Sequence, residues 1–299
     1  MQFNHIGEIS ALMVAFFWTI TALAFESASK KVGSLAVNLI RLFVGFFFLS
    51  CFTLFYRGHF FPDDAGVHQW LWLSASGLIG FVLGDLFLFK SFTIIGSRVA
   101  MLIMTLVPPI TAALGYLFLG EKLTIFNLLG MTLTVAGICT TIFSRTSHGE
   151  RLRFNLPIKG FLFALGGAGG QALGLVISKK GMGNYDPFAA TQIRIITGMV
   201  GFAALVFYLR RLPQMTAALQ NRTGMKGIII GSFFGPFLGV SLSLFSVKYT
   251  NTGIASTIMA IVPILIIPPS IFILKQKVTI REIIGAVVSV VGIALFFIE

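Results

Sequence analysis

Apolar residues run along the chain in ten stretches of about 20, joined by short polar segments, and about 20 is the length a helix needs to cross a bilayer. The stretches lie at 7–28, 35–56, 69–89, 99–119, 125–144, 157–178, 187–209, 227–247, 254–274 and 280–298. They predict an all-α integral membrane protein with ten transmembrane helices and leave no room for a soluble domain. The first stretch lacks a basic segment before it, and its apolar run outlasts that of a secretory signal, so a retained helix is expected.

The pattern then repeats itself. With Gly80 placed over Gly235, the chain can be read without a gap to Phe143 over Ile298. Gly84 falls on Gly239, Ser91 on Ser246, Met104 on Met259, Val107-Pro108 on Val262-Pro263, Lys122 on Lys277, Gly130 on Gly285 and Gly137 on Gly292. Shared Gly and Pro positions shape helices, so the match goes beyond common hydrophobicity. At a slightly different offset, Asn38, Arg41 and Gly45 share the spacing of Thr191, Arg194 and Gly198, and Ser29-Lys30-Lys31 matches Ser178-Lys179-Lys180. The polar segment 144–151 divides the chain into residues 1–149 and 150–299, each with five helices. Five is odd, so the second copy enters the membrane from the opposite side. The fold expected is two inverted five-helix repeats around a central cavity.

Composition sharpens this picture. Hydrophobic residues make up 56% and charged residues 11%, where a soluble chain would carry about a quarter; the mean hydropathy is +0.93. The formal charge of +12 is spread over inter-helix loops without a basic stripe or stacking aromatics, so nucleic acid is not an expected partner. Fifteen Lys and Arg fall in odd-numbered loops against five in even-numbered ones, with Arg41 and Arg194 set aside inside helices. Cytoplasmic loops are the basic ones, so the count favours both termini outside the cytoplasm, in a plasma (inner) membrane. Cys51 and Cys139 sit inside predicted spans and read as small apolar fillers rather than a disulfide or zinc pair. The four His do not cluster, and no nucleotide-binding, zinc-protease or nucleophile-elbow motif occurs. No metal, cofactor or enzymatic activity is expected.

An ionisable group in hydrocarbon costs about 2.5 kcal/mol or more, so each one needs a reason. Asp85 lies deep in the third helix, and its repeat mate is Val240. It is the candidate for binding a cationic group or a proton, with an ion pair to Lys90, Arg41 or Arg98 as the alternative. Arg41 and Arg194 form a symmetric pair about two turns into their helices, near opposite leaflets, as gate latches or anion contacts at each mouth, or as interhelical anchors beside Asn38 and Thr191. Glu8 and Glu26 are expected to face water, and Glu121 to cap or lie on the surface of a short loop. Pro108-Pro109 and Pro263, with Pro268-Pro269 beyond it, bend the fourth and ninth helices and free carbonyls. Gly80-x-x-x-Gly84 and Gly235-x-x-x-Gly239 offer two matched seams. From these pieces the predicted cavity is lined by Trp18, Thr21, Asp85, Met104, Pro108, Gln171, Ser241, Met259 and Pro263, with Asp85, Lys90, Arg41 and Arg194 as coupling or ion-pair candidates.

The combination of Trp18, Arg41, the run Leu119-Gly120-Glu121-Lys122-Leu123-Thr124 and the closing Gly130…Ala136-Gly137 resembles the EamA-type transporters of the drug/metabolite transporter superfamily. Lys275-Gln276-Lys277 departs from it, since the second copy lacks the Gly-Glu-Lys run. The resemblance implies alternating access and small organic solutes, often exported, with both termini drawn in the cytoplasm, opposite to the charge count. The reading that follows is a secondary transporter of amino acids or amphipathic amines, in which one chain supplies both halves and a monomer suffices. Its partners are then a small solute and the lipid bilayer. The alternatives are a sugar-phosphate or nucleotide-sugar exchanger, resting on Arg41, Lys90, Arg194 and Lys248, and a lipid scramblase or structural protein.

Overall fold

A computed structural model of the chain describes residues 5–95, 97–146, 157–272 and 279–297. Among the described residues are ten helices long and apolar enough to span a membrane: α1 Ile6–Val32, α2 Ser34–Arg57, α3 Val67–Leu88, α4 Ala100–Leu119, α5 Ile125–Phe143, α6 Ile158–Met182, α7 Pro187–Tyr208, α8 Arg222–Tyr249, α9 Thr252–Pro269 and α10 Ile280–Phe297. Most of the segment joining the halves lies outside the described residues, as does Lys275-Gln276-Lys277. A short helix, Leu212–Gln220, lies between α7 and α8 with Leu212 and Leu219 exposed. α1 passes into α2 at Gly33 alone, whose φ of 84° is a left-handed conformation open to glycine. The Gln214 side chain fills the place a Cβ there would take.

The repeat reappears as packing. The Gly80 and Gly84 seam of α3 lies on Gly167, Gly170 and Gly174 of α6; a Cβ on Gly174 would sit 2.9 Å from Gly80 Cα. Its mate in α8, Gly235 and Gly239, lies on Thr21 and Trp18 of α1. α5 and α10 meet crosswise. Gly130 faces the Gly292 carbonyl and Gly137 the Gly285 carbonyl, so each glycine meets the repeat mate of the other. Thr134 donates to Ser289 O at 3.4 Å and Ser289 returns a bond to Thr134 O at 3.1 Å, tying the two helices without a bulky side chain between them.

Two irregularities also recur at repeat-equivalent positions. A wide π turn occupies Leu78–Gly84 in α3 and Phe233–Gly239 in α8. Such turns are rare and concentrate at functional sites. α4 breaks at Thr105-Leu106, and α9 at Ala260-Ile261, each just before its proline. A proline has no N–H, so the carbonyls of Met104 and Met259, four residues earlier, lose their intrahelical partners.

Candidate functional site

These irregularities surround a cavity of about 410 Å³ to which every span except α10 contributes a side chain. Trp18, Thr21, Asp85, Met104, Gln171, Met259 and Pro263 lie on its wall, and so do Arg41 and Arg194. Trp18 reaches it because Gly239 has no side chain: a Cβ there would lie 2.5 Å from Trp18 Nε1. The π turns place Gly80, Phe81, Gly235 and Pro236 on the wall, and the broken turns place Met104, Thr105, Met259 and Ala260 there.

Two predicted lining residues are elsewhere. Ser241 is fully buried away from the cavity, its Oγ without a hydrogen bond. Below the π turn the cavity face of α8 is set by Val240 and Ser243, and Ser241 lies about 100° round the helix from Val240. Pro108 is buried, while its neighbour Val107 takes the cavity position. The second copy differs, since Val262 and Pro263 both line the wall.

The charges also fall differently from the expectation. Arg41 and Arg194, expected near opposite leaflets, both line the one cavity. A position two turns into a helix lets a side chain point inwards to a neighbouring helix as easily as outwards to headgroups. Arg41 Nη2 donates to Asp85 Oδ2 at 2.5 Å, which settles Asp85's partner, and the guanidinium lies 5.6 Å from the Phe25 ring centroid. Arg194 is 5% exposed and stands 4.8 Å over the Phe81 ring, and its Nε is buried without a hydrogen bond. Lys90 is exposed and does not line the cavity, and the Arg98 side chain lies outside the described residues. Arg41, Asp85 and Arg194 are therefore the charged groups on the described wall, which carries one excess positive charge.

A second hollow of about 520 Å³ lies at the even-loop face and includes His5, Glu8, Lys179, Lys248, Thr250 and Ile254. It shares no lining residue with the first. The buried cluster of Ala11, Val14, Leu244, Val247 and Ile258 packs the molecule along α1, α8 and α9. Polar bonds close this face. Glu8 is buried, not solvated, and accepts from Thr250 Oγ1 at 2.6 Å. Glu121 is no surface residue either. Its carboxylate accepts from Lys179 Nζ at 2.7 Å and from the Thr252 N–H at 2.8 Å and hydroxyl at 2.7 Å, capping the start of α9. Glu26, by contrast, is exposed and pairs with Lys30. On the same face, Arg57 pairs with Asp64 at 2.5 Å, and Tyr185 donates to the same carboxylate at 2.7 Å. Partial burial pushes the Asp64 carboxyl up, but the Tyr185 bond and the Arg57 charge outweigh it and hold the group below the usual carboxylate range.

Ten spans, two inverted halves and a cavity at their junction define the class: an integral membrane protein with the architecture of secondary transporters. A model of the EamA-like transporter family matches residues 5–143 and again residues 158–298, and the chain belongs to that family. In fold it is similar to a crystal structure that it matches at a TM-score of 0.74 and 16% identity, over 97% of this chain and 96% of the other. No curated protein matches it.

Proposed function

We propose that the protein is a secondary transporter of small amphipathic metabolites, amino acids among them, working by alternating access of its two inverted halves. The observation that carries this reading is the cavity of about 410 Å³ between the halves, lined from nine of the ten spans. Its wall is mainly Met, aromatic and aliphatic, with a few hydrogen-bonding groups and three charges. Such walls suit solutes of varied shape with one polar end. Phe25, Met101 and Ile142, near the odd-loop ends of their spans, line the cavity, whereas the even-loop face is clamped. If the basic odd-numbered loops are cytoplasmic, in a plasma membrane, this is the form open to the cytoplasm, which suits loading of an exporter. The exchanger reading loses support, because Lys90 and Lys248 are not on the wall and Lys248 donates to the Asn184 and Tyr185 carbonyls instead.

Uptake into sealed proteoliposomes of pooled labelled amino acids, amphipathic amines and organic acids, with and without a pH gradient, tests the proposal. Saturable flux of one pool is expected, cut at least tenfold by Asp85→Asn, which strands Arg41 beside a neutral amide. Absence of saturable flux from folded, inserted protein would defeat the carrier reading. Unchanged flux in the Asn variant would remove Asp85 from the mechanism.

A further inference from the structure

The two arginines occupy repeat-equivalent positions but stand in unequal chemistry. Each helix bearing one of them packs on the π turn of the opposite copy's third helix: Gly45 of α2 against Pro236 of α8, and Gly198 of α7 against Phe81 of α3. Phe81 and Pro236 are themselves repeat mates at the spacing of Gly80 and Gly235. Arg41 has a carboxylate inside the cavity, Asp85. The position that would give Arg194 the same service is the repeat mate of Asp85, and it is Val240, which lines the same wall. Among the described residues no ion pair to the Arg194 guanidinium is found, its Nε is buried without a hydrogen bond, and the group stands over the Phe81 face. A guanidinium cannot shed its proton to escape burial, and removing it from water without a partner is costly.

We infer that Arg194 is the acid-recognition subsite of the cavity, and that the transported solute brings a carboxylate, or an acid of like shape, to fill the place Val240 leaves without one. The inference rests on the carrier reading and narrows it. The preferred substrate is an amphipathic organic acid or an amino acid held by its carboxylate, not an amine lacking an acid. One guanidinium without an internal carboxylate suits a solute bringing one carboxylate, and the apolar remainder of the wall takes the body of the solute.

Three probes with one ring separate the cases: 3-phenylpropionate has the acid alone, phenylalanine both groups, and phenethylamine the amine alone. A second set, octanoate, 2-aminooctanoate and octylamine, repeats the comparison on an aliphatic body. Binding to purified protein and uptake into proteoliposomes are measured for all six. The acid-bearing members are expected to bind at least tenfold more tightly than the matched amines. Arg194→Gln is expected to erase that preference and Arg194→Lys to keep part of it. Val240→Asp, which supplies the missing internal carboxylate, is expected to block acids while Arg194 is still present. The Asp variant also guards against a Gln variant that fails to fold. Saturable transport of the amines as good as that of the acids would leave the carrier reading standing and overturn the role of Arg194. A folded Arg194→Gln protein with its acid preference intact would do the same. No saturable binding or flux of any probe would overturn both.

Discussion

Replacing Glu121 with Gln should release the even-loop face. The carboxylate holds three donors from two helices: the Lys179 ammonium of α6, and the N–H and hydroxyl of Thr252 at the start of α9. Its side chain is 8% exposed, which separates it from surface ion pairs worth less than about 1 kcal/mol. Glutamine keeps one carbonyl oxygen, so either Lys179 or Thr252 is left facing an NH₂ donor. The loss is at least one charge-assisted bond, about 1.5–3 kcal/mol. In the alternating-access reading this face opens by parting α9 from α6, which breaks these bonds. The closed-to-open ratio should then fall by about 10- to 150-fold. Ala255, fully buried one turn into α9, is the reporter position. In a background carrying Cys51→Ser and Cys139→Ser, Ala255→Cys is labelled with a soluble maleimide. Its rate is expected to rise at least tenfold with Glu121→Gln, and likewise with Lys179→Met. Rates within twofold of the parent in both variants, from protein that elutes as a single folded species, would refute the clamp.

The same clamp can be struck from a third residue. A Cβ at Gly115 would lie 2.5 Å from both Glu121 Oε2 and Thr252 Oγ1, so Gly115→Ala should reproduce the faster labelling of Ala255→Cys. On the α5–α10 seam, Gly285→Ala puts its methyl 2.6 Å from Gly137 O and should cost about 1–3 kcal/mol by overpacking, read as a lower Tm. Gly169→Ala meets nothing within 4 Å and should leave Tm unchanged or slightly raised. Tyr185→Phe removes a hydrogen bond from Asp64. The folded pKa of Asp64 is depressed, so its contribution is in force above the unfolded value of about 4 and lost as pH falls through the folded one. The Tm gap between Tyr185→Phe and wild type should therefore be open at pH 7 and narrow under acid. A gap independent of pH would assign the effect to packing.

What could be read from the sequence was what Gly and Pro dictate through the backbone. Gly80, Gly84, Gly235 and Gly239 mark the seams and Pro108 and Pro263 the breaks, because missing side chains and missing N–H groups act locally. The π turns carried a signal as well, since both span a repeated Gly-x-x-x-Gly, but the spacing alone does not distinguish a wide turn from a packing seam. Buried acids were harder. Glu8 is satisfied by Thr250 and Glu121 by Thr252, partners more than a hundred residues away, so neither neighbourhood in the sequence betrays burial. Arg41 and Arg194 could be named as ion-pair candidates, but not assigned to a partner, for a related reason: depth along one helix says nothing of which neighbour covers the side chain. Ser241 shows the cost of helical phase, since one residue round the turn decides between cavity and core.

In the alternating-access reading, duplication supplies two exchangeable faces, and the departures from it are expected to set which face closes more readily. In an inverted repeat the form open to the other side is approached by exchanging the roles of the halves. The clamp on the even-loop face joins Glu121 to Lys179. Their repeat mates are Gln276 and Lys30, so the corresponding clamp on the odd-loop face lacks its carboxylate. Lys30 is instead engaged by Glu26 in an exposed pair, which contributes little. In the alternating-access reading proposed above, the form closed at the even-loop face has a buried charged clamp whose carboxylate the repeat mate lacks, and the resting balance is expected to tilt towards that form. Gln276→Glu should restore the balance. It is expected to accelerate labelling of Ala255→Cys without touching any residue of the even-loop clamp, and Lys30→Met should cancel the effect. If Gln276→Glu leaves that rate unchanged, the tilt does not come from the missing carboxylate.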